Sequence, residues 1–133
     1  MNWNLIFKLS FFGLAMALGT VYFIPSAIEP FCWLIIFIIC AYFIAKNCSK
    51  AYFLHGFMVS IFNCVWITAA HILLFDTYIA HHPSEAALMT KMPMPDQPKL
   101  MMLMTGAVIG IASGIVLGLF AFAASKIIKK PAA

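Results

Sequence analysis

The chain contains no arginine, only four acidic residues, and no cysteines spaced as CxxC. Each absence excludes something. Without guanidinium groups there is no planar fork of the kind that grips phosphate or carboxylate at two points. Without clustered thiols there is no framework for structural zinc or dithiol chemistry, and Cys32, Cys40 and Cys64 read as small apolar residues in hydrophobic runs. Charge is scarce altogether, at 9% of 133 residues, where a soluble domain carries about 25%. That is too little to cover a surface facing water.

What is present is hydrocarbon. Hydrophobic residues make up 65% of the chain, with a mean hydropathy of +1.02. The expected solvent is therefore the lipid bilayer. The length suits a single all-α domain, 1–133, built as an integral membrane bundle of four transmembrane helices. The net charge of +4 comes from eight lysines scattered at helix ends, which read as topology signals and not as a nucleic-acid interface.

Four segments carry the apolar pattern, at about 5–24, 30–46, 51–79 and 99–128. The first stops at Pro25. Its Ala15-Met16-Ala17 has the form of a signal-peptidase site, but cleavage there would leave too short an apolar region before it, so the run is read as a retained helix. The second has an apolar core of only fifteen residues, Phe31 to Ala45, a rise of about 22 Å against a hydrocarbon core of about 30 Å. The tight connection Lys46 to Lys50 predicts that the second and third helices pair as an antiparallel hairpin. Residues 80–98 form the one sizeable stretch outside lipid, kept extended by Pro93, Pro95 and Pro98 after a turn or two of helix at Ser84.

Lysines in the flanks set the orientation. Lys8, Lys46, Lys50, Lys126, Lys129 and Lys130 fall on one side, Lys91 and Lys99 on the other. The positive-inside rule then places both termini in the cytoplasm, most simply in a bacterial inner membrane.

The fourth segment reads Gly106-x-x-x-Gly110-x-x-x-Gly114-x-x-x-Gly118. Such a stripe lets two helix backbones approach closely in lipid. It receives either a helix of the same chain, where Gly13 and Ala17 offer a matching small surface, or a second copy or another membrane protein. The third segment gathers the polar residues. At about 100° per residue, Gly56, Ser60, Asn63, Cys64, Ile67, His71 and Tyr78 share one broad face, with Asp76 roughly opposite. Asn63 and His71 face the bundle interior, either as hydrogen-bonded helix glue or as part of a proton or ion path.

Six of nine methionines lie between Met89 and Met104, preceded by His81 and His82. Thioether and imidazole together suit Cu(I), and imidazole suits zinc, so His81, His82, Met89, Met92 and Met94 are candidate ligands for Cu or Zn. The alternative is flexible apolar filler at the membrane edge. No nucleophile–base pair, phosphate loop or dinucleotide fingerprint occurs, and no enzymatic role is expected. The sequence thus suggests a small polytopic protein acting through helix association, as an accessory subunit or homo-oligomer. The alternatives are a transporter or channel component with a polar path on the third helix, and Cu or Zn handling.

Overall fold

The computed structural model describes residues 1–128, so Lys129 and Lys130 lie outside the described residues. Six helices follow one another and no strand occurs among the described residues: α1 (Trp3–Tyr22), α2 (Glu29–Asn47), α3 (Tyr52–Leu73), α4 (Phe75–His81), α5 (Pro83–Met89) and α6 (Pro98–Ile127). Four of them, α1, α2, α3 and α6, are long and apolar enough to cross a membrane. Large apolar side chains such as Phe31, Ile35, Val65, Val108 and Leu119 remain exposed on their outer faces. This is a membrane protein.

The helix ends follow local chemistry. The Asn2 side chain accepts from the Leu5 N–H and caps α1. Proline opens α5 and α6 and sits in the first turn of α2, where its missing N–H would have found no partner anyway. At the start of α3, Ala51 adopts a left-handed conformation with φ 55°. Its carbonyl accepts from both the backbone N–H and the ring Nδ1 of His55. The other ring nitrogen of His55 accepts from the Asn2 N–H at 2.9 Å, which ties the chain start to the start of α3.

The contacts fix the relative directions. Asn2 meets His55, Ser10 meets Trp66 and Thr20 meets His71, so α1 and α3 run parallel. The glycines at 106, 110, 114 and 118 meet Thr68, Cys64, Phe57 and Phe53 in turn, so α6 runs antiparallel to α3. The start of α1 and the end of α6 therefore lie at one end of the molecule, called here the terminal end. The α4–α5 end is opposite.

Three expectations are corrected. First, 51–79 is two helices, α3 and α4, broken at Leu74 (φ −107°, ψ 34°). No glycine or proline marks the break. It brings the rings of His71 and Tyr78 into a stack at 4.1 Å, although residues seven apart in a straight helix stand about 10.5 Å apart along its axis. Second, α2 does not pair chiefly with α3. It packs mainly on α6, where Phe37 and Phe120 meet edge to face at 6.2 Å. Third, Gly13 and Ala17 of α1 do not serve the α6 stripe. Gly13 lies against Asn63 of α3, and the stripe is covered by α3.

That α3–α6 contact is the most extensive in the molecule. A Cβ added to Gly56 would stand 2.6 Å from the Leu117 carbonyl oxygen and 2.9 Å from the Gly118 Cα, closer than real atoms pack. Hydrogen bonds reinforce the pair: the hydroxyls of Ser60 and Ser113 lie 2.8 Å apart. One buried cluster, Ile6, Leu9, Cys40, Ile44, Cys48, Val59, Leu117 and Ala121, lies toward the terminal end, while Met16, Ala17 and Val21 are buried further along α1. Toward the α4–α5 end, α2 departs from α3 and space opens between them.

Candidate functional site

That space is a half-enclosed cavity of about 690 Å³ between α2, α3 and α6, roofed by α4, α5 and the segment that follows. One wall is the polar face of α3: Ser60, Asn63, Cys64, Ile67, Thr68 and His71. The eleven-residue interval from Ser60 to His71 makes this wall about 16 Å long. The facing walls are apolar and aromatic, with Trp33 and Phe37 from α2 and Met101, Ile109 and Phe120 from α6. The size falls within the range of about 300–1,000 Å³ usual for small-molecule pockets, and so does the plan of mostly apolar lining with a few polar groups.

Asn63 is the least satisfied group in the wall. It is only 2% exposed, its side chain packs against Gly13 of α1, and neither its amide nitrogen nor its amide oxygen, both closed off from the cavity, has a hydrogen-bond partner. A buried amide left bare costs about 1–3 kcal/mol. Its neighbours on the same face are better served. The Cys64 thiol donates to the Gly106 carbonyl, and Ser60 meets Ser113.

His71 is held at the α4–α5 end of the wall. Its Nε2 lies 2.9 Å from the Thr20 hydroxyl, which in turn donates to the Ala17 carbonyl at 3.1 Å. A hydroxyl has one hydrogen. With that hydrogen on the carbonyl, Nε2 donates to the hydroxyl, and the lone pair of the neutral ring sits on Nδ1. Below the ring lies Tyr78, and below Tyr78 lies His82 at 4.4 Å, three stacked rings in a column. His82 is buried, with its ring nitrogens 2.9 Å from the Tyr78 carbonyl and 3.3 Å from the Ile24 carbonyl. The column fastens α4 to α3 and to the end of α1.

Two carboxylates complete the lining. Glu29 at the start of α2 accepts from the Trp33 indole at 3.2 Å, and Glu85 in α5 accepts from the Ser26 hydroxyl at 2.8 Å. Burial, then the charges of Glu85 and Glu29, push the Tyr78 phenol from its ordinary value of 10 up to about 12. Its hydroxyl stays protonated and available as a donor.

The other residues singled out from sequence fall elsewhere. Asp76 is exposed and does not line the cavity. Met89 and Met92 line it, as part of its roof, whereas Met94 does not. His81 is exposed, its Nδ1 bonded to the Thr77 carbonyl. Among the described residues no group of three or more His, Cys, Asp or Glu side chains is placed to hold a metal ion. The glycines at 106, 110, 114 and 118 are covered by α3, within the chain.

Sequence reasoning missed Glu29, Glu85, Ser26 and Trp33 as members of one site. They were legible only as interfacial residues, because α5, which carries Glu85, is separated from Glu29 by two membrane-length segments. A scan against protein-family models, curated proteins and solved structures finds no match to this chain.

Proposed function

We propose that this chain is a transporter or channel component of a bacterial inner membrane. In this reading both termini are cytoplasmic, and the cavity on the polar face of α3 receives a small amphiphilic solute from the α4–α5 side. The observation that carries the reading is the cavity itself, with the polar face of α3 as one wall. A scaffold helix has no use for an empty space of that size, since cavities destabilise. The same chain packs without room for a methyl group at Gly56. The lysine distribution supports the orientation. Lys8, Lys46, Lys50 and Lys126 belong to the terminal end, Lys91 and Lys99 to the other. Association through the α6 glycines is not favoured by any observation, because α3 already occupies them.

Uptake into proteoliposomes tests the proposal, using a panel of radiolabelled amphiphilic amines, alcohols and carboxylic acids. At least one class should enter faster than into protein-free vesicles, and Ile67→Trp, which fills the cavity from the α3 wall, should abolish that difference. No class entering faster, or full uptake by Ile67→Trp, would contradict it.

A further inference from the structure

The charges lining the cavity are all of one sign. Glu29 and Glu85 are both half-buried, both reach the cavity at its α4–α5 end, and both act on the same phenol, Tyr78. Each has a single neutral donor, Trp33 or Ser26. No lysine contributes to the lining, and neither carboxylate has an ion-pair partner among the described residues. Two half-buried carboxylates line one cavity without the counter-charge that normally accompanies such burial. The remaining lining is mostly aromatic and aliphatic, with neutral hydroxyls such as Ser60, Thr68 and Thr105 and the His71 ring along it.

We infer that the cavity binds an organic monocation with an elongated apolar body. Its ammonium group lies at Glu29 and Glu85, and its body runs along the polar wall of α3, facing Phe37 and Phe120. This rests on the cavity being the working site, as proposed above. The alternatives fit the lining less well. An anion would meet two carboxylates and no lysine. A bare metal cation would trade its hydration shell for two carboxylates and the nearby Ser26 and Tyr78 hydroxyls, short of the six or more oxygens a hard cation takes. A neutral amphiphile would leave the paired charges as they are. An ammonium group answers both carboxylates, and aromatic faces such as Trp33 attract it further. The Tyr78 hydroxyl, kept protonated, leaves the cation the only partner of opposite charge.

Three probes with one body and different heads separate the possibilities: 4-phenylbutylammonium, 4-phenylbutanol and 4-phenylbutyrate. Each is titrated calorimetrically into the full-length protein in lipid nanodiscs, with empty nanodiscs subtracted. The inference predicts that the ammonium binds about tenfold or more tightly than the alcohol, and the carboxylate least of all. Glu29→Gln with Glu85→Gln, close to isosteric with the originals, should bring the ammonium down to the alcohol's affinity while leaving the alcohol unchanged. The comparison among probes on the unaltered protein stands even if the double variant fails to fold. Equal binding of all three heads would overturn the cation inference and leave the cavity reading intact, provided Ile67→Trp abolished that binding. Binding of none of them, or binding insensitive to Ile67→Trp, would overturn both.

Discussion

The two ends of this molecule are built on opposite principles from the same helices. At the terminal end, glycine and small residues draw α3 and α6 together until the Gly56 position has no room for a side chain, and a cluster of buried apolar residues from all four long helices gathers there. At the α4–α5 end, α2 leaves α3, and the wall of α3 carries an amide without a partner and an imidazole with one committed nitrogen. Close packing at one end lets the helices diverge at the other without losing the fold. The contrast suggests a rigid base that holds an open, polar-tipped mouth. Membrane helices lack a hydrophobic force between them, so contact of this quality must come from backbone approach and dispersion.

The strongest way to break the contrast is to attack the base. Gly56→Leu places a side chain against the Leu117 and Gly118 backbone, which cannot give way as a flexible side chain does. It should cost about 3 kcal/mol, read as a lower unfolding midpoint in denaturant titrations in detergent. A loss as small as that of an exposed substitution such as Val108→Leu would show that the base is not closely packed.

The next effect has the opposite sign and belongs to the mouth. Asn63→Leu removes a buried amide that bonds to nothing, and should raise stability by about 1 kcal/mol. A destabilised variant would mean that Asn63 has a partner holding the helices together. At the base again, Ala51 carries left-handed strain that glycine does not feel. Ala51→Gly should stabilise by about 0.5 kcal/mol once the extra backbone entropy of glycine is subtracted. An unchanged or lower midpoint would count against strain at that position.

A further effect is a pH dependence at the mouth. The Tyr78 phenol titrates near 12 when folded and near 10 when unfolded, so the folded state holds its proton more tightly. Its contribution is fully present below pH 10 and is lost as the pH rises from 10 to about 12, because the unfolded chain gives up its proton first. Comparing unfolding midpoints of the parent and Tyr78→Phe across that interval checks the sign: the parent should fall more steeply.

Much of the base was legible in the sequence. Four glycines in register announced a close contact on α6, and helical periodicity placed Ser60, Asn63, Cys64, Ile67 and His71 on one face of α3, the face that became the cavity wall. What was not legible was which helix meets which. The glycine stripe is equally suited to α1, α3 or another molecule, since small residues specify closeness and not a partner. The break at Leu74 was hidden because no glycine or proline causes it. It accompanies the stacking of His71, Tyr78 and His82, contacts that exist only once α4 has turned. Glu29 and Glu85 were hidden for a similar reason. Their meeting depends on α5 folding over the mouth, and extended proline-rich chain was expected beyond its first turn or two.

The central claim, a water-accessible cavity along α3 within an otherwise lipid-facing helix, is tested most directly by thiol labelling. In a chain with its four cysteines replaced by alanine, Ile67→Cys faces the cavity, while Val65→Cys, at a position 57% exposed on the outer surface, faces lipid. A charged, membrane-impermeant methanethiosulfonate added from the α4–α5 side should modify Cys at 67 rapidly and Cys at 65 barely at all. Equal, slow modification at both positions would mean that the space between α2 and α3 is closed to water.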